Sequence, residues 1–533
     1  MNAPHPVTFA IPDLQTGCEI IARLPLANPA QAGLDLNRLL DSLLATPPDG
    51  ETYFRLLEHA RIATSFIAEE LAKRYLNRAL PPGDIEEDIF QRVVATWLKM
   101  AKAYAHCAQK DSSEVNDAIQ TQRLATILQR CIHYTGMAVV EHQRGHREYP
   151  WGLWLDLHGY YASAEEWGVD MLVIPDAHES PGHSTHCTAT YVSFLLCDMA
   201  GCYGLSVREQ TLLRRWSILW SPLVSLHRAN PGEALPQHVI DLMQDTALRP
   251  VADCLQTDQL RRMDTSRLAT QISQVGQQLR QKVPPSQLAL GEDCTAGQCN
   301  RLLEHLSRPW SQAKAARKFR RRATSGIARV CTSFDEMHYF ISGKPFEQPE
   351  NVRTYSRREF DTLFAFRHQE NPQQLLQIRQ EQLNFSSDAW EVVNQSANGF
   401  RLMRSTSGRK MSHGQLLALC PHDGDRFILA KTTWLMQEKG GGLIAGLEAL
   451  PGMPVAIATR VLEQTSELPG KYHPAFLLPA IPATGTEQSL VLPSGGYHVG
   501  RTLEVFTDGA WQVKLTHVLE DGPGFERVGF VVC

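Results

Sequence analysis

No stretch of this 533-residue chain approaches the ~20 consecutive apolar residues of a membrane-spanning helix. Its first fourteen residues, Met1 to Leu14, hold three prolines but no lysine or arginine, so the basic start of an export signal is missing. The expectation is a cytoplasmic protein with no membrane insertion. No two cysteines stand in a CxxC pair. The twelve cysteines are scattered, the nearest spacings being Cys197 with Cys202 and Cys294 with Cys299. In a long chain without an export signal they read as reduced, mostly buried thiols. Charge of one sign is not in large excess either. A net charge of −5 excludes a chain wholly devoted to nucleic acid or to an anionic membrane, so any anion site must come from local charge. GxSxG, Walker and strand-to-helix GxGxxG motifs are all lacking, and no acid–base pair or nucleophile stands out. The chain reads as no enzyme, with no metal and no cofactor.

What is present divides in two. A chain of 533 residues exceeds one core, and 43% hydrophobic residues are ample for several. Residues 1–34, punctuated by Pro and Gly, read as an extended N-terminal arm. From 35 to 310 the apolar period is helical. Leu124, Ile127, Leu128 and Cys131 fall on one helix face, as do Leu268, Ile272, Val275 and Leu279. Ser206 to Glu209 is a capping box, a hydroxyl for an orphan amide and a carboxylate reaching back. Proline breaks between such segments predict an all-α array of antiparallel helices. Trp151, Trp154, Leu155, His158, Tyr161, Ala162 and Trp167 read as a core seam with His158 hydrogen-bonded inside. After residue 320 short strands take over, at 327–331, 390–393, 427–430 and 443–447, then at 488–492, 502–506, 512–516 and 528–532. The fold class expected is α+β multidomain: a helical N-terminal half, then an antiparallel β-barrel or sandwich with further C-terminal strands.

Two short stretches stand out. Arg317-Lys318-Phe319-Arg320-Arg321 is an RxxxR pair in a basic block that continues with Arg322, and Asn394-Gln395-Ser396-Ala397-Asn398-Gly399 reads NxSxxG. Arginine forks onto phosphate oxygens or a guanine O6/N7 edge and stacks on bases. Short polar side chains such as Asn394 and Ser396 reach a base edge or a phosphate, and Gly399 permits close approach. In this order, with strands after each, the stretches resemble the two signatures of the PilZ domain, a small β-barrel. The resemblance covers roughly residues 315–460. It implies a bacterial receptor for the second messenger cyclic di-GMP, with Arg317, Arg321, Arg322, Asn394, Ser396 and Gly399 as ligand-binding residues. It also implies signalling to an unidentified protein partner, here through the helical domain. The domains expected are the arm (1–34), an all-α domain (35–310), a PilZ-like barrel (311–460) and a β-rich extension (461–533).

About seventy residues separate Arg321 from Asn394, so the barrel must be interrupted, by pattern over residues 345–383. A second RxxxR, Arg353 with Arg357, lies in that insertion. Two other readings stay open. One is a PilZ-like scaffold without the nucleotide; the other is an RNA- or DNA-binding module using the basic segment 314–329, although aromatics beyond Phe319 are absent from it. The segment from His178 to Cys187 is rich in ligand residues, but Pro181 and Gly182 break any helix there and a loop is the expectation. Gly440-Gly441-Gly442 reads as a turn and not a phosphate loop.

Overall fold

Asp13 accepts a hydrogen bond from the Thr16 amide (2.7 Å) and caps a first helix, α1 (Leu14–Ala22), which turns Ile21 into the core. That cap corrects the extended arm over these residues. The computed structural model describes residues 9, 11–110, 118–176, 184–229, 236, 238–251, 254, 257–312, 321–349, 385–405, 408–462 and 470–533. They fall into two compact units, Met1–Arg78 with Pro82–Ala316, and Ala79–Pro81 with Arg317–Cys533.

The first unit continues with α2 (Pro29–Ala45), α3 (Gly50–Ala72), α4 (Asp84–Lys110), α5 (Ala118–Arg144), α6 (Leu153–Glu166), α7 (Cys187–Met199), α8 (Val207–Trp220), α9 (Ser266–Arg280) and α10 (Ala296–Trp310). The helix α7 is buried without a break from Cys187 to Cys197, as an apolar helix at the centre of a bundle must be. Ile127, Leu128 and Cys131 of α5, and all four apolar residues picked out on α9, are buried. The Ser206–Glu209 box forms in full. At the heart of the unit Asp176 accepts hydrogen bonds from both Arg61 (2.9 Å) and Arg130 (2.8 Å), all three almost fully buried. Glu58 joins them through Arg130, which balances the charges.

Two expectations for this half need correction. It is not all-α. The segments β1 (Ile174–Pro175) and β2 (Ser184–Thr185) pair, and β3 (Ser225–Arg228), β4 (His238–Asp241), β5 (Arg249–Pro250) and β6 (Leu260–Asp264) form a sheet in the order β3-β6-β4-β5. Val239, Ile240, Leu260 and Met263 seat this sheet by burial. The aromatic seam is narrower than its sequence. Gly152, left-handed at φ +87°, starts α6 after Trp151, leaving that indole 85% exposed, and Trp167 at the other end is exposed too. Leu155 is exposed on the outer side of the helix. Trp154, His158 and Tyr161 are buried, and His158 is hydrogen-bonded to Thr246 O (3.0 Å) and Tyr191 (2.7 Å).

The second unit begins with β7 (Arg322–Ala323), β8 (Ile327–Cys331) and α11 (Phe334–Ser342), then β9 (Asp388–Gln395), β10 (Gly399–Arg404), β11 (Leu416–Cys420), β12 (Ile428–Gln437) and β13 (Leu443–Ala449). Antiparallel pairing runs β8-β9-β10-β13-β12-β11 and returns to β8, a ring of six strands. Trp390, Val392, Leu402, Leu417, Leu419, Ala430, Leu435, Leu443 and Leu447 fill its interior, with Leu80. Turn glycines Gly440 to Gly442 connect β12 to β13.

A second, closed barrel follows: β14 (Val455–Val461), β15 (His473–Leu478), β16 (Ser489–Pro493), β17 (Thr502–Phe506), β18 (Ala510–Gly522) and β19 (Phe525–Val532), in the order β14-β15-β16-β19-β18-β17. The expected boundary at residue 461 therefore moves. The Pro451-Gly452 turn, with Gly452 at φ +93°, ends the first barrel, and Val455–Val461 pairs with β15 and β17. The run Leu416-Leu417-Ala418-Leu419-Cys420 is buried on both faces. Leu417 and Leu419 face the first barrel's interior, while Leu416, Ala418 and Cys420 pack with Met337 of α11 and Phe476, Leu478, Val491 and Phe525 of the second barrel. Alternation is absent from this strand because both its faces are cores. The insertion expected at 345–383 lies almost entirely outside the described residues, as do Arg317, Arg353 and Arg357.

Candidate functional site

The NxSxxG stretch is the hairpin turn between β9 and β10. The Ser396 amide donates to Gly399 O (2.7 Å), and the Ser396 hydroxyl donates to the same carbonyl (3.4 Å). Next to it Asn398 is held twice, its carbonyl accepting from the Ala449 amide (2.8 Å) and its Nδ2 donating to Glu448 Oε1 (3.3 Å). The turn is thus pinned to β13.

The basic segment reaches this turn directly. In β7, Arg322 pairs with Gln395 and Ala323 with Asn394, antiparallel. The same edge of β9 then takes a hydrogen bond from the Val392 amide to Gly326 O (2.9 Å) and the whole of β8. Arg321 and Arg322 are exposed. About seventy residues of chain therefore close into neighbouring strands, and Arg322 lies beside the first residues of the turn. Of the six residues named from sequence, Arg322, Asn394, Ser396 and Gly399 come together on β7, β9 and β10. Arg321 lies one residue before that pairing, and Arg317 falls outside the described residues. Arg329, farther along the basic segment, is occupied elsewhere: its guanidinium lies over Phe427 (5.2 Å) and donates to Cys420 Sγ (3.4 Å).

One row across the barrel adds residues that the sequence does not single out. Ala323, Asn394, Arg401, Gly446 and Trp434 stand directly opposite one another on β7, β9, β10, β13 and β12. Directly opposed residues share a face of the sheet. Trp434 lies flat over Gly446, where any Cβ would fall 1.9 Å from its Nε1. The Arg401 guanidinium sits 5.7 Å from the Trp434 ring. A guanidinium over an indole beside Asn394 makes a flat, cationic shelf of the kind on which a purine stacks. One buried polar atom in this row, Arg401 Nε, has no hydrogen-bond partner among the described residues. A wedge of this sort has one legible sequence signal, a glycine inside an apolar strand, which marks close approach by another group.

A buried ion pair fixes the other end of β9 and β10. Arg404 Nη1 donates to Asp388 Oδ2 (2.5 Å), Arg404 Nη2 to Arg409 O (2.8 Å), and the guanidinium lies 4.7 Å from the Trp390 ring. Burial pulls the Arg404 pKa down, and Asp388 opposes that. Arg409 pairs in turn with Glu336 of α11, which raises its pKa. These cations support the site from behind and are spoken for.

The ligand-rich segment of the helical unit is ordinary where described. His186 caps α7, its Nδ1 accepting from the Ala189 amide (3.1 Å), and Cys187 is buried. His178 and His183 lie outside the described residues.

Comparison with known proteins finds matches over three stretches of the chain. Residues 18–236 match the family described as cyclic-di-GMP receptor FimW, N-terminal domain; 239–382 match its middle PilZ domain; and 457–533 match its C-terminal β-barrel domain. The chain belongs to the PilZ-containing cyclic-di-GMP receptor family. The middle match takes in Arg321, Arg322 and β8 and stops short of Asn394, whereas the third begins inside β14, the first strand of the second barrel. The cyclic-di-GMP receptor FimW of Pseudomonas aeruginosa is 25% identical over 529 residues, covering 92% of this chain and 85% of that receptor. No solved structure matches the chain. PilZ membership accords with the six-stranded ring, and none of the described helices is long and apolar enough to cross a membrane.

Proposed function

We propose that this chain binds cyclic di-GMP at the end of its first barrel where β7, β9 and the turn into β10 meet. It acts as a cytoplasmic receptor that signals through protein contacts of its helical unit and performs no catalysis itself. The observation that carries the reading is the pairing of Arg322 and Ala323 with Gln395 and Asn394. It brings the basic lead-in beside the strand end that enters the polar turn, with Arg322 on the side of Gln395 and Asn394 on the side of Arg401, and so joins the two halves that a nucleotide with two phosphates and two guanines requires. In this reading Arg317, Arg321 and Arg322 hold phosphate or a guanine edge with charged donors. Asn394 and Ser396 contact a base edge from the turn, and Gly399 keeps the turn low. Arg401 and Trp434 offer one guanine a stacking surface. The helical unit supplies the surface for a protein partner.

Calorimetric titration of the full chain with cyclic di-GMP, beside GTP and a short single-stranded RNA, tests this. Heat with cyclic di-GMP alone is expected. Arg322→Ala should weaken it by about tenfold or more, since a hydrogen bond to a charged group is worth about 1.5–3 kcal/mol. Absence of heat from folded protein refutes the reading. RNA binding with a steep salt dependence would assign the basic segment to nucleic acid instead.

A further inference from the structure

Gly399, Glu448 and Lys431 stand opposite one another on β10, β13 and β12, one row along from the turn. The two charged residues have different partners. Glu448 accepts from Asn398 of the turn (3.3 Å), and Lys431 pairs with Glu520 on β18 of the second barrel. Lys431 and Glu520 are about three-quarters buried, with side chains 25% and 22% exposed. Glu520 also faces Arg527 of β19 at 3.9 Å, and Arg527 donates to Ser489 Oγ (3.0 Å). The hairpin that carries Glu520 sits close on the first barrel. A Cβ on Gly522 would fall 2.5 Å from Gly414 O, and Pro523 lies 3.3 Å from the Cβ position of Gly414. Gly522 is required there because the two backbones touch. Lys431 is thus the cation between two carboxylates, one tied to the NxSxxG turn and one to the second barrel.

From this arrangement we propose that Lys431 is a shared switch, moving from Glu520 to Glu448 when nucleotide occupies the turn, so that the second barrel senses the bound state. This rests on the binding reading above. Ligand contact with the turn draws Asn398 away and frees the Glu448 carboxylate. Directly opposed side chains on neighbouring strands lie about 4.5–5.5 Å apart at Cβ, within reach of a lysine. Lys431 then has a second anion available, and the β18–β19 hairpin loses its ion pair to the first barrel. Two discrete arrangements biased by one ligand are what coupling between sites requires.

Linkage makes the coupling reciprocal, which gives the sign. Glu520→Gln, nearly the same size, removes the pair that favours the docked hairpin, so cyclic di-GMP should bind about three- to fivefold more tightly, the range a partly exposed ion pair supports. Glu448→Gln still accepts from Asn398 but offers no anion, so binding persists while the hairpin stops responding. The test is calorimetry with cyclic di-GMP on the full-length wild type and both variants, with hydrogen exchange of residues 516–527 measured with and without nucleotide. Expected are faster exchange in liganded wild type, fast exchange in Glu520→Gln with or without nucleotide, and no response in Glu448→Gln. Nucleotide binding with unchanged exchange in the wild-type hairpin overturns the switch, as does wild-type affinity in Glu520→Gln. Absence of binding in all three proteins overturns the underlying reading, and the switch with it.

Discussion

Gly446→Ala is the smallest change that tests how the shelf beside Asn394 is built. The added methyl would sit 1.9 Å from Trp434 Nε1 and 2.4 Å from its Cδ1 and Cε2. Non-bonded carbon contacts settle at about 3.5–4.0 Å, so the indole must move by roughly 1.5–2 Å. β13 cannot yield instead, because Gly446 is paired on both sides, to Arg401 and to Trp434. Overpacking of this kind costs about 1–3 kcal/mol. The displaced ring also loses Arg401, a contact worth about 0.5–1 kcal/mol at a half-exposed site. Trp434→Ala removes the obstacle, so Gly446→Ala should be nearly neutral in that background. The pair should therefore show a coupling of about 1–3 kcal/mol. Hydrogen exchange of the β12 and β13 amides in the full chain measures this locally. An equal cost of Gly446→Ala with and without Trp434 would refute the reasoning, because the glycine would then be needed for its backbone and not for the ring above it. If a guanine stacks here, either single change should weaken cyclic di-GMP about five- to hundredfold, at about 1–3 kcal/mol per stacked base.

Two further outcomes follow from the helical unit. Asp176→Ala leaves Arg61 and Arg130 buried without the carboxylate they share, and should cost about 3–5 kcal/mol; chemical unfolding of the full chain, followed by its helical circular dichroism, would register this as a lower midpoint. Burial lowers the pKa of His158 below its ordinary 6.5, and that of His186 likewise. The unfolded chain therefore takes up protons first as pH falls, so stability is full above about pH 6.5 and declines below it. Thermal unfolding of the helical signal between pH 7.5 and 5 should show this slope, and His158→Gln should flatten it even though its midpoint at neutral pH is lower.

Much of the architecture was legible locally. The period of α5 and α9, the Ser206 box and the C-terminal strands are written in spacings of two to four residues, the range over which helix and strand faces are set. The errors arose where a single local cap or a strand partner far away in sequence set the outcome. Asp13 is one more polar residue in a proline-rich stretch until Thr16 completes its cap. Trp151 and Trp167 carry the composition of a core, yet the ends of α6 leave them outside. The limits of the two barrels depend on which strand Val455–Val461 joins, and strand composition does not encode a partner.

The candidate site divides in the same way. Sequence alone determined its chemistry: the arginines, the Asn-Ser-Gly turn and the strands that flank them, because residue type fixes hydrogen-bonding capacity and turn preference. Tertiary structure alone decided the assembly. Arg322 meets Gln395, Arg401 meets Asn394, and Trp434 meets Gly446 only because six strands close into a ring in one register. Register is set by the burial of Trp390, Val392, Leu402 and Leu447 together in the barrel interior, a property of the whole ring and of no single segment.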